Sequence, residues 1–243
     1  MGIDARPAYL CVKQRAGPFV KAMVTDNYAY LQRYGLSAAR SRCGPALSRT
    51  SVDKLELRLA LYGYDGIFYT LTFADDYLPA DWAGAMRIWD TFAKRLRRWL
   101  RRPVEYYVYR IEGLHGDHRL HLHAFLRDQD FPPAVVRHLW DWGEAYDVPF
   151  DRKRVLAEHG YRGLALYFTK EVPEVGRHPW GCSRALSRYL PASEIRPLRS
   201  GVLRLPPGAT PLPVEGRDRP QLGAWGLYGY ARWLLPEGKE KRN

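Results

Sequence analysis

Cysteine is scarce in this chain of 243 residues: there are three, Cys11, Cys43 and Cys182, far apart and with no CxxC pair. That count excludes a disulfide framework and a cysteine-built zinc finger, and it points to a reducing cytoplasm. Long apolar runs are missing as well. No stretch approaches the ~20 residues that would cross a bilayer, and the first residues lack the basic-then-apolar order of a secretion signal. Acidic residues are in deficit, with Asp+Glu 26 against Lys+Arg 38 and a net charge of +12, so the expected partner is a polyanion bound in a salt-dependent way. No Walker loop ending in GK[ST] is present, which excludes a built-in NTP-driven motor of that class.

What is present bounds the architecture. A hydrophobic content of 46% supports a buried core, and the chain is long enough for one well-packed domain with an appendage. Three zones are expected: a basic N-terminal segment over residues 1–52 with a helix near Tyr28–Arg42, a central domain over 53–172, and a basic, proline-rich extension over 173–243 that wraps in extended form. Within the central zone, strands are expected at Leu55–Tyr62, Ile67–Phe73, Val104–Ile111, Leu120–Leu126 and near Tyr146–Phe150. Helices are expected at Asp81–Arg102, Pro132–Trp142 and Tyr161–Glu171. The class is α+β, a mostly antiparallel central sheet flanked by helices.

The chemistry concentrates in EGLHGDHRLHLHAFL, Glu112–Leu126. On a strand, residues i and i+2 share a face, so His121 and His123 offer two imidazoles to one ion while Leu120, Leu122 and Ala124 turn to the core. If Val104–Ile111 pairs with this strand as a hairpin, Glu112 falls opposite His121 and supplies a carboxylate; His115 and His118 in the turn are alternatives for the third position. Two imidazoles and a carboxylate leave coordination sites open, which suits Mn²⁺ or Mg²⁺ better than a closed structural zinc. An HxH pair also occurs as ordinary strand packing, so its weight comes from what accompanies it.

The accompaniment is LYFTKE. In the expected helix Tyr161–Glu171, Tyr167 and Lys170 lie three apart on one face, a phenol flanked by an ammonium. A phenol oxygen can attack a phosphodiester while a divalent ion polarises the phosphate and a lysine steadies the attacking or departing group. In a chain with seventeen tyrosines, one three residues before a lysine means little alone. Its place after the histidine strand is what raises its weight.

The order TLTF (Thr70–Phe73), a glutamate-bearing strand, HLHAFL (His121–Leu126) and YFTK (Tyr167–Lys170) resembles the HUH endonucleases, more narrowly the single-tyrosine rolling-circle replication initiators of small single-stranded DNA phages and related plasmids. The resemblance spans roughly residues 67–172. It implies a ferredoxin- or RRM-related fold, nicking and rejoining of one DNA strand at an origin, a covalent 5′-phosphotyrosine link, and a free 3′-hydroxyl for a host polymerase, with a separate host helicase. It also implies the roles: His121, His123 and Glu112 on the metal, Tyr167 as nucleophile, Lys170 as its partner. Residue 171 is Glu where the two-tyrosine branch would need a second tyrosine, and transposases of the single-tyrosine kind usually carry glutamine where Lys170 stands.

A basic run, Lys94, Arg95, Arg97, Arg98, Arg101 and Arg102, crowds the end of the helix expected over 81–102 and is the candidate DNA track, although cations also favour a helix C-terminus for its dipole. Phe68, Tyr107 and Tyr109 are candidate base-stacking aromatics. Two other readings compete. A non-catalytic single-strand binder would not need the histidines and tyrosine together, and a facial-triad oxygenase would need a different histidine–carboxylate spacing.

Overall fold

The computed structural model describes residues 9–26, 50–113, 119–170, 180–198, 200–214 and 227–236. The helix expected near Tyr28–Arg42, and the alternative ligands His115 and His118, lie outside these residues.

Along the chain, β1 (Tyr9–Ala16) and β2 (Phe19–Asp26) form a hairpin in which Ala16 pairs Phe19. Its turn needs Gly17, whose φ is +52° and whose missing Cβ would stand 2.2 Å from the Ala60 carbonyl oxygen. Next come α1 (Ser51–Leu59), a 3₁₀ turn at Ala60–Tyr62, β3 (Gly66–Thr72), α2 (Trp82–Leu100), β4 (Tyr107–Glu112), β5 (His121–Arg127), α3 (Pro133–Leu139) and β6 (Ala145–Phe150). The chain continues through α4 (Arg152–Ala157), α5 (Arg162–Thr169), β7 (Trp180–Cys182), α6 (Arg184–Arg188), β8 (Glu194–Leu198), β9 (Thr210–Leu212) and β10 (Leu227–Leu234). The class is α+β, with two antiparallel five-stranded sheets among the described residues. No described helix is long and apolar enough to cross a membrane.

One expected strand is a helix. Leu55–Tyr62 carries leucines at every second position, yet Thr50 and Asp53 close a reciprocal capping box ahead of it. Leucine, glutamate and arginine are strong helix formers, so cap and propensity together override the alternation.

The chain divides into two compact units that interleave in sequence, unlike the three successive zones expected. One contains residues 1–63, 156–165 and 190–243, the other 64–155 and 166–189. In the first, the sheet runs β8-β1-β2-β10-β9. β2 is central and buried on both faces, including Lys21, whose ammonium lies 3.8 Å from the equally buried Glu56 carboxylate; Glu56 also pairs with Arg232 of β10. Of the C-terminal region expected to wrap in extended form, Glu194–Leu198, Thr210–Leu212 and Leu227–Leu234 join this sheet as β8, β9 and β10, and Pro197 and Pro211 sit on its edge strands β8 and β9.

In the second unit the sheet runs β6-β3-β5-β4-β7. One face packs under α2 and α3 through Tyr69, Leu71, Ile111, Leu122 and Ala124, against Trp89, Phe92 and Leu96 of α2. Trp89 stacks on Tyr109 with ring centroids 4.3 Å apart. The other face carries Phe68, Arg110, Glu112, His121 and His123.

Candidate metal centre and tyrosine

Strand pairing sets the geometry. β4 and β5 are antiparallel with Glu112 opposite His121 and Arg110 opposite His123, so these four side chains share a face. The apolar alternates Leu122 and Ala124 are fully buried on the other side. His121 Nε2 and His123 Nε2 stand 3.0 Å apart, and Glu112 Oε2 is 3.7 and 3.4 Å from them respectively. An ion held at about 2.1 Å by neighbouring ligands of an octahedron requires donors about 3.0 Å apart. Glu112, His121 and His123 thus form a group that could hold a metal ion.

The imidazoles are oriented from behind. His121 Nδ1 donates to the Arg119 carbonyl at 2.8 Å, which leaves Nε2 with its lone pair toward the site. His123 Nδ1 meets the Thr70 hydroxyl at 3.2 Å, and its ring stacks on Phe68 at 4.9 Å. Burial lowers the pKa of His123, the direction that favours the neutral, ligating form. For Glu112, burial disfavours the charge, but hydrogen bonds from His123, Tyr167 and Arg110 outweigh it and hold the carboxyl down at about 2.

Tyr167 reaches this same face. Its hydroxyl donates to Glu112 Oε2 at 2.8 Å, the oxygen that also faces both imidazoles, and its ring lies 5.3 Å from that of His123 and 5.7 Å from that of Phe68. Burial first, then the bond to Glu112 and its charge, raise the phenol pKa, so the hydroxyl keeps its proton here.

The cation beside the phenol is not the expected one. Lys170 lies just past the end of α5, exposed, and it is its backbone carbonyl that joins the site. Arg110, only 2% exposed, fills the position instead. Its Nε donates to Glu112 Oε1 at 2.7 Å, its Nη1 to the carbonyls of Phe168 and Lys170 at 2.9 and 2.8 Å, and its guanidinium carbon is 5.9 Å from the Tyr167 ring centre. One side chain therefore holds the far oxygen of the acid, leaves the near oxygen to the histidines, and closes carbonyls at the C-terminal end of the tyrosine helix. The sequence signal for it was a lone charge between strand hydrophobics two residues before Glu112, which period-two reasoning assigns to the acid's own face.

The basic run lies elsewhere. α2 covers the opposite face of this sheet, so Lys94, Arg97, Arg98 and Arg101 are exposed on the helix layer, away from the histidines. Arg95 bonds the Leu139 carbonyl and Asp141 and sits over the Trp142 ring at 4.5 Å, while Arg102 bonds Asp130 at 2.7 Å. Of the candidate stacking aromatics, Phe68 is on the site face, and Tyr107 and Tyr109 pack beneath Trp89 on the other.

Comparison with protein-family models, with curated proteins and with solved structures finds no match.

Proposed function

We propose that this chain is a divalent-metal-dependent nicking and joining enzyme of single-stranded DNA, of the HUH single-tyrosine kind, that initiates rolling-circle replication through a covalent tyrosine link. The observation that carries the reading is the Tyr167 hydroxyl bonded to the same Glu112 oxygen that, with two imidazoles, makes a three-donor metal group. A non-catalytic binder has no use for a phenol at that point.

Mn²⁺ or Mg²⁺ held by Glu112, His121 and His123 would polarise a DNA phosphate and stabilise charge on its non-bridging oxygens. Arg110 fixes the carboxylate and the helix end, so that phenol and ligands keep one geometry. The Tyr167 oxygen forms a bond to phosphorus as the bond to the 3′-oxygen breaks; the phenolic proton passes to solvent water, and the departing 3′-oxygen takes a proton from solvent water to become a hydroxyl. Attack by that 3′-hydroxyl on the phosphotyrosine reverses the step and rejoins the strand. Origin single-stranded DNA and the host's helicase and polymerase are the partners this reading requires.

Incubation with Mn²⁺ and labelled single-stranded DNA from the source genome should give a protein–DNA adduct that survives denaturation. Tyr167→Phe should abolish the adduct while Mn²⁺ binding persists. Mobility shifts without any adduct, across the genome's own sequences, would leave a binder and end the enzymatic reading.

A further inference from the structure

The site face of the second sheet does not end at the histidines. Pairing runs from β5 through β3 to the edge strand β6, with His123 opposite Thr70 and Thr70 opposite Tyr146, and with Phe125 opposite Phe68 and Phe68 opposite Val148. Paired residues of antiparallel strands point to one face, so Tyr146 and Val148 share the face of His123 and Phe68, about 10 Å across two strand spacings. Tyr167 and Phe168 pack on Phe68. Tyr146 and Val148 lie open beyond them, 58% and 44% exposed, and the Tyr146 side chain has no hydrogen bond or ring contact among the described residues, its backbone being held in the ladder with β3. On the same strand, Ala145 and Phe150 at the two ends are buried and Asp147 is held by Arg137, so β6 is anchored along its length and its open side chains do not mark a frayed edge.

We infer that Tyr146, with Val148 beside it, is a base-stacking subsite for single-stranded DNA, reading a nucleotide next to the phosphate held at the metal group. This deepens the nicking reading and rests on it. A flat aromatic ring beside a branched aliphatic matches the π-face of a base, and stacking tolerates any base. Charge agrees with that occupant: the segment after β6, Asp151–Arg154, carries three cations against one acid, with Lys153 and Arg154 exposed, in a chain of net charge +12. A protein partner would need a larger apolar area than two side chains provide.

The test measures binding of labelled oligo-dT and of an abasic deoxyribose-phosphate strand of equal length, by anisotropy with Mn²⁺ present. Tyr146→Ala is expected to weaken oligo-dT binding by about 5- to 100-fold and to leave the abasic strand unchanged. Tyr146→Phe should match wild type, and Trp99→Ala, an exposed aromatic of α2 on the opposite side of the sheet, should have no effect. Equal oligo-dT affinity for Tyr146→Ala and wild type overturns the subsite, as does an equal loss on both strands. A stacking effect of the predicted form without any Tyr167 adduct keeps the subsite and removes the nicking reading; no binding of oligo-dT by the wild type overturns the subsite, while adducts on genomic DNA would still uphold nicking.

Discussion

At the scale of single residues, the group that could hold a metal ion has small supports behind its three donors. Losing one of three donors from an open site is expected to weaken Mn²⁺ binding by at least about tenfold, so His123→Ala should show it in an electron paramagnetic resonance titration. Thr70→Val removes only the hydroxyl at His123 Nδ1 and should cost about tenfold, the low end for a ligand's own hydrogen-bond partner. Unchanged affinity in both would show that the imidazoles are packing residues. Glu112 also fixes a pH dependence in the metal-free protein. Its carboxyl sits at about 2 against 4.5 for the free group, so the stabilisation is complete above pH 4.5 and is lost as pH falls toward 2. Glu112→Gln should flatten that acid limb of the urea midpoint and leave the slope near neutrality alone.

At the scale of elements, local chemistry explains the foreseen helix α2 and also α1, which was expected as a strand. α1 begins at a capping box, and Thr50→Ala, which removes the bond to the Asp53 backbone N–H, should lower stability by about 1 kcal/mol in urea unfolding. A neutral effect would show that burial of Leu55, Leu57 and Leu59 fixes this helix without its cap. α2 is set by a three-and-four spacing of apolar residues, and its anchor is Trp89, 2% exposed against Tyr107 and Tyr109. Trp89→Ala should cost about 3–5 kcal/mol and lose near-ultraviolet dichroism from the stacked rings. The hairpin of β4 and β5 and the tyrosine helix were legible because period-two and period-three-to-four patterns survive in their sequences. The turn from Gly17 and the strands it joins were not, since Tyr9–Asp26 reads as short mixed stretches until its partners are known.

At the scale of the whole molecule, charge and layering separate two surfaces of one sheet. The cations of α2 sit on the helix side, so on the proposed function they would act on a strand bound at the histidines only through the long-range field. Reversing Arg97, Arg98 and Arg101 to glutamate should weaken single-stranded DNA binding at low salt, fade above about 0.1 M where screening reaches ~10 Å, and leave the adduct rate at saturating DNA unchanged. A loss that persists undiminished at high salt would mean direct contact with the strand. Interleaving of the two units has a similar lesson: the first and last segments of the chain meet in the sheet β8-β1-β2-β10-β9. Such pairing joins residues some two hundred positions apart, and no local signal encodes it. By itself the sequence determined that one strand would aim two imidazoles and, across a hairpin, one carboxylate to a single face, because side-chain direction in a strand follows from residue parity. Only the tertiary structure decided that Arg110 rather than Lys170 stands beside the phenol, that the arginines of α2 face away, and that Tyr146 lies open beside the centre, because those depend on which elements cover which face and with what register.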